Sequence, residues 1–408
     1  VSYSPPEPAD VASANPLDDL FSPAAANDPQ PAYARLRDEC PVSRTQIEGL
    51  DTGTVVVSRY ADVMWALKHP EVFSSSAEAI DIGQQQSLIP LQMDPPEHAK
   101  YRRMLDPEFA PRHMAALESD ARQLVNEIID TFAAKGECDF HEDFATPLPS
   151  TIFLRLMQLP PGDLSTFLEW RDATIRPDVE PGDLDGAARI RAETGKRITA
   201  YFEDAIADRR AQPDDGLLSR LVHGQVDGRP PTQDELLGML HLLLLAGLDT
   251  VTATLDCMVA YLGTHPDRRD AIAADPTLAA NAIEELLRTE TPVQMVPRVV
   301  KTDFELGGVA LKQGDFVTVA IGAANTDERE FTDALSVELD RAGNRHVAFG
   351  AGPHRCLGSH LARLELRVAL EELHRRLPDY RVADGAELTY SPGIRQVDRL
   401  PIVFTPTP

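Results

Sequence analysis

The chain has 408 residues, and its 39 Lys and Arg against 65 Asp and Glu give a formal net charge of -26 at pH 7. Nucleic-acid phosphates would be repelled by that excess, though a local basic patch is not excluded. The length prior is two or three domains, though some single domains run this long; the four cysteines lie far apart without paired metal-ligand spacing and suit a reducing cytoplasm.

No signal-peptide pattern opens the chain, and residues 1–27, rich in Pro and Ala, read as an extended arm. Tyr33 to Cys40 reads as a short helix, Thr54 to Ser58 as a strand, and Tyr60 to Lys68 as a helix stopped before Pro70. Ala77 to Gln92 has weak periodicity and reads as a loop with at most a helical turn. Met93-Asp-Pro-Pro-Glu then opens a helix with Asp94 as its candidate cap. On that helix His98 and Arg102 stand four apart on one face, ordinarily a solvated basic surface.

Met114 to Ala134 reads as one long amphipathic helix, followed by helices at Ile152–Met157, Leu164–Thr174 and Leu184–Arg210. Thr232 and Glu235 form a capping box at the start of a helix running from Gln233 to about Leu262. This helix is apolar on nearly every face and should be central. Its longest apolar run, Leu236 to Leu248, is too short to span a bilayer and contains His241, read as a hydrogen-bonded core histidine with substrate contact as the alternative. Inside it sits Ala246-Gly-Leu-Asp249-Thr250. An acid and a hydroxyl are costly in a buried helix, Gly247 is a poor helix former, and Thr250 can bond back four residues.

Ala279 to Arg288 is a helix in which Glu285 and Arg288 pair on one face. After Pro292 an extended stretch carries Arg298, and Phe304 to Ile321 reads as strands with turns at Gly307-Gly308 and Gln313-Gly314. These, residues near Val55 and Leu388–Phe404 would form a minor β region. Last comes Phe349-Gly-Ala-Gly-Pro-His-Arg-Cys356-Leu-Gly358, followed at once by a strong helical pattern from Ser359 to Arg376. A lone cysteine is usually a small buried hydrophobe. Here three glycines permit close backbone approach. The following helix directs N–H groups and partial positive charge at the sulfur, favouring a thiolate of the kind that ligates haem iron.

The cysteine loop, Ala246-Gly-x-Asp-Thr250 and Glu285-x-x-Arg288, in this order, resemble the cytochrome P450 superfamily from about Asp28 to Phe404. The chain is most similar to soluble bacterial, ferredoxin-dependent members, including the camphor-hydroxylating group. The resemblance implies a mainly α fold with a minor β region around a buried haem b (iron protoporphyrin IX). It implies one haem-thiolate domain over 28–408, and Cys356 as the iron ligand. Haem contacts would come from His98, Arg102, Ala246, Arg298, Phe349, Gly350, His354 and Gly358. Asp249 and Thr250 would guide protons for dioxygen activation, with Val251 where the family often has a second hydroxyl. Glu285, Arg288 and Arg341 would form a buried supporting network.

The activity so implied is a monooxygenase inserting one atom of O2 into a small, mostly apolar substrate, terpenoid-like by preference. Candidate pocket walls are Leu88, Leu91, Leu242, Leu245, Ala246, Val293, Val296 and Ile394, with Gln86 or Gln294 as polar anchors. A tyrosine that anchors the camphor ketone is replaced near Gln86, so camphor itself is disfavoured. Electrons would come from a ferredoxin and its NAD(P)H-dependent reductase. The ferredoxin would dock where Arg103, Arg112, Arg355, Arg363 and Arg367 cluster. The expected protein is a cytoplasmic monomer with no nucleic-acid or membrane partner.

Overall fold

Apolar residues on nearly every face drive one helix into the middle of the molecule. Its start is fixed by the capping box: Thr232 Oγ1 accepts from Glu235 N, and the Glu235 carboxylate accepts from Thr232 N at 2.7 Å. In this computed structural model, which describes residues 23–45, 53–80, 82–180, 182–391 and 393–407, the helix runs Gln233–Leu248, breaks at Asp249 and resumes as Thr250–Thr264. By length and composition the whole span would cross a bilayer, more than the apolar run alone suggested. Yet 72% of its most apolar window is buried inside the protein, the signature of a core helix.

Helices Pro147–Met157, Leu164–Ile175 and Leu184–Ala211 pack on the first half, and Ala279–Glu290 and Ser359–Arg376 on the second. The break therefore lies where two helical groups meet, and the helix that follows the cysteine loop reaches the same core through Leu366, Leu370 and Leu373.

The β region is a five-stranded sheet in the order Val42–Thr45, Thr54–Val57, Phe316–Val319, Val296–Val300, Phe73–Ser74. Only the Thr54–Val57 and Phe316–Val319 pair is parallel. Residues of the C-terminal stretch do not join this sheet. Tyr390–Ser391 pairs with Gln396–Val397, and Pro401–Val403 lies between Glu137–Asp139 and Arg381–Val382.

Three expectations need correction. The expected arm lies outside the described residues up to 22, and Pro23–Asn27 is a short helix. The single helix over Met114–Ala134 is divided into Pro111–Ala116, Glu118–Asp130 and a turn at Ala133–Lys135, because the chain tightens at Leu117, whose N–H bonds Met114 O at 2.9 Å. Asp94 caps no helix; its carboxylate accepts from Ser74 Oγ at 2.6 Å, Ser75 N at 3.0 Å and Lys301 at 3.1 Å.

Candidate active site

Cys356 is presented by a turn that closes on itself: its N–H donates to Phe349 O at 2.8 Å, and Gly350 N–H to Val347 O at 2.8 Å. Gly350 and Gly352 both have φ of +67°, and a Cβ on Gly352 would stand 2.4 Å from Leu67 O. Gly358 needs neither freedom: its φ is -80° and a Cβ there would meet no protein atom within 4 Å. Cys356 is an exposed residue, yet the loop crowded around its sulfur desolvates the thiol and raises it above its ordinary value, against the Gly358 N–H and the charges of Arg102, Arg355 and Arg363, which pull it down. A cation placed at the sulfur would favour the thiolate. Above Phe349 lies the Arg363 guanidinium, 4.3 Å from the ring centroid and bidentate to Glu284 at 2.6 and 2.7 Å.

Four cation-forming side chains converge beside the loop. His98 and His354 are in ring contact, centroids 4.4 Å apart. Arg102 donates to Arg355 O at 2.8 Å and pairs with Asp106 at 2.6 Å. Arg298 is 6% exposed, and among the described residues it hydrogen-bonds only Pro297 O. Burial pushes Arg298 down to about 10 and His354 down to about 3, and lowers His98 as well. His354 Nε2 is buried without a partner among the described residues. Both histidines are therefore neutral donors, and Arg298 is a buried charge with no carboxylate partner among the described residues, which is costly unless an anion completes the site.

At the helix break, Thr250, Thr252 and Thr254 each bond back four residues: Oγ1 to Ala246 O at 3.1 Å, to Leu248 O at 3.1 Å and to Thr250 O at 2.7 Å. Such back-bonding weakens the ladder and bends helices. Leu242, Ala246 and Thr250, successive at four-residue spacing, keep accessible surface although their neighbours Leu244, Leu248 and Asp249 are buried. Asp249 lies in an arginine clamp that sequence reading missed. Arg176 approaches its two oxygens at 2.5 and 3.2 Å, and Arg171 stands 3.8 Å away.

The expected Glu–Arg network is present and wholly buried at its centre. Arg288 binds Glu285 through Nε at 2.9 Å and Nη2 at 2.7 Å, and Arg341 Nε reaches the same carboxylate at 2.8 Å. Glu338 contributes its backbone N–H at 3.0 Å, a bond that makes no demand on its side chain. Asn344, not foreseen, adds a bond at 3.1 Å.

A family model described as Cytochrome P450 matches residues 41–377. The chain belongs to the cytochrome P450 family. It is 34% identical over 380 residues to a steroid C26-monooxygenase of Mycolicibacterium smegmatis, covering 92% of each chain. It is 33% identical over 399 residues to a vitamin D(3) 25-hydroxylase of Pseudonocardia autotrophica, covering 95% of this chain and 96% of the relative. The crystal structure of a Bacillus megaterium P450 in complex with testosterone superposes with a TM-score of 0.87 at 28% identity, covering 94% of this chain and 100% of that one. This P450 is a monooxygenase, and its family's cofactor is haem b. The residues fit that group: an exposed sulfur on a glycine-built turn can ligate iron, and buried Arg298 and His98, with half-buried His354 beside them, can donate to carboxylates such as haem propionates.

The proposed pocket walls divide. Leu88, Leu245 and Gln294 are 1%, 7% and 2% exposed, closed into the protein, and offer little to a ligand. Leu91, Leu242, Val293, Val296, Ile394 and Gln86 are half-buried, and a β-bridge brings Val293 and Ile394 together. His241 is buried, but its Nε2 has no partner among the described residues, contrary to the hydrogen-bonded core histidine expected. Burial pushes it down to about 4, so it is neutral. Of the five arginines expected to form a basic patch, Arg103 pairs with Asp227, Arg363 with Glu284, and Arg367 with Glu118 and Glu371. Arg112 and Arg355 are exposed without an ion-pair partner among the described residues.

Proposed function

We propose that this P450 inserts one oxygen atom from O2 into a small hydrophobic substrate, terpenoid-like and up to steroid size, with electrons from a separate ferredoxin and its NAD(P)H-dependent reductase. The observation carrying the oxygen chemistry is the broken central helix, with its accessible stripe at Leu242, Ala246 and Thr250 in a chain that also builds the cysteine loop. Haem, held by Cys356, supplies dioxygen binding, and thiolate ligation favours O–O cleavage. Arg298, His98, Arg102 and His354 would hold its carboxylates, and Ala246, Phe349, Gly350 and Gly358 would complete its site. Gly358 suits that role because a side chain there would meet no protein atom within 4 Å, leaving the space open to a ligand. Thr250 moves a proton at Oγ1, exchanging its bond to Ala246 O for one to ordered water. Asp249, oriented by Arg176, supplies the next group in that chain.

Substrate size and apolarity are supported by the half-buried aliphatic residues and by relatives named for steroids and vitamin D(3). Docking of an acidic ferredoxin rests on Arg112 and Arg355, a smaller patch than five arginines, so reduction should slow as salt rises. We read residues 28–408 as one haem-thiolate domain, a monomer working in the cytoplasm. The buried central helix and four unpaired cysteines support this reading.

Two measurements test the proposal. Titrating the ferric haem spectrum with terpenoids, steroids, fatty acids and aromatic acids should give a low-to-high-spin shift with the first two; a shift with acids alone overturns the substrate class. Cys356→Ser should abolish the thiolate-type carbon monoxide spectrum, and a normal spectrum from that variant refutes the ligand.

A further inference from the structure

The central helix is tied by a second polar contact for which the oxygen chemistry gives no reason. Asp256, two turns beyond Asp249, is fully buried, and its Oδ2 lies 2.7 Å from Nδ1 of buried His141. The other oxygen, Oδ1, has no partner among the described residues. His141 opens a π-helical turn, His141–Ala145, packed against Thr250–Thr264 and running antiparallel to it. Four residues along the turn, Ala145 O accepts from Thr252 Oγ1 at 3.0 Å, and Thr252 lies four residues before Asp256. That same hydroxyl reaches Leu248 O, 3.1 Å away and directly before the break. The two contacts are rungs of one ladder, and its upper rung grips the break.

A buried imidazole–carboxylate pair contributes less to stability than well-packed apolar side chains, but it fixes geometry more narrowly. We propose that His141 and Asp256 are positioning residues for oxygen activation: their contact sets the register of Thr252 and, through it, of Asp249 and Thr250, and so how completely electrons end in product. This rests on the reading of Asp249 and Thr250 as the proton-delivery pair.

Asp256 faces His141, Asp139, Asp249 and the Cys257 thiol, and His141 faces Glu142 and Arg171 besides. Burial pushes Asp256 up to about 7, with His141 pulling against it. Burial would lower His141, but the hydrogen bond and charge of Asp256, with Glu142, outweigh it and raise it. Both folded values stand above the ordinary ones. The stability they contribute is therefore complete at low pH and lost as pH rises through about 7. The two groups titrate as one unit.

Asp256→Asn keeps shape and an acceptor for the imidazole but removes the charge, and His141→Gln changes the partner on the other element. Product per electron in the holoenzyme is to be followed from about pH 6 to about pH 8.5, with amide exchange of residues 246–256 measured in parallel. Each variant should lower product per electron by about threefold at the acid end and flatten its pH profile, and exchange at Thr250–Ala253 should rise about tenfold. Wild-type coupling and exchange at every pH would overturn the proposal, as would a lowered melting temperature with both other readouts unmoved. If the wild-type enzyme yields no product from any substrate, the functional reading fails, while exchange still decides the pair.

Discussion

Two carboxylates, Glu285 and Asp249, are equally buried and both bound by arginine, yet they are satisfied very differently. Glu285 accepts five hydrogen bonds, from Arg288 twice, Arg341, Glu338 N and Asn344. Its main arginine is sealed as well, spending its remaining donors on Asn325 O, Ala334 O and Ser336 O. Among the described residues Asp249 accepts two, both from Arg176, whose side chain is 27% exposed, while buried Arg171 stands farther off with Nη1 unpartnered. A buried network with every donor and acceptor matched is rigid; one with spare capacity and an arm in solvent can change partners. Burial alone does not separate a structural ion pair from a working one. The completeness of the hydrogen bonding does.

The comparison breaks most sharply at Glu285. Glu285→Gln should destabilise the fold by about 3–5 kcal/mol, because Arg288 would be left as a buried charge without its counter-ion. Denaturant unfolding of the holoenzyme reads this directly, and a loss below about 1 kcal/mol would remove the network from its supporting role. Thr250→Ala should leave folding intact and oxygen consumption running, with product per electron falling on the order of tenfold. Full coupling in that variant would sink the proton-delivery assignment. Arg176→Gln should cost less, on the order of 1–3 kcal/mol, because Arg171 at 3.8 Å still faces the buried Asp249 carboxylate, and it should alter product formation through Asp249. A stability loss as large as that of Glu285→Gln would show the two networks to be alike.

The smallest effect expected is at Glu365, on the helix that follows Cys356. Burial pushes its carboxyl up to about 8, and Oε2 has no partner among the described residues. Its folded value lies above the ordinary 4.5, so its contribution to stability is complete below that pH and gone above about 8. Melting temperature should fall as pH rises through this window, and Glu365→Gln should flatten the slope; an unchanged slope would mean that the carboxyl is solvated.

Much of the site was legible in the sequence because the determinants are local. The cysteine loop is ten residues whose glycines at 350 and 352 answer to positive φ and a close approach, and Ser359–Arg376 begins where the pattern says. The capping box and the back-bonding of Thr250 are contacts three and four residues long, and both formed as read. Glu285 and Arg288 are similarly near neighbours.

What escaped were contacts between distant segments. Arg176 is 73 residues from Asp249, His141 is 115 from Asp256, and Asn344 is 59 from Glu285. Within its own stretch of sequence each such side chain looks like an ordinary solvated group. The same limit applied to the pocket walls: Leu88, Leu245 and Gln294 are apolar or neutral enough to line a cavity, yet the fold closes them in. By itself, then, the sequence determined the cysteine loop, the family, the central helix and the place of its break, since turns, caps and periodicity act within a few residues. Tertiary structure alone decided which charges are matched, which arginines face solvent, and which helix surfaces stay open. Those outcomes depend on how separately formed elements approach one another and which polar groups they desolvate together.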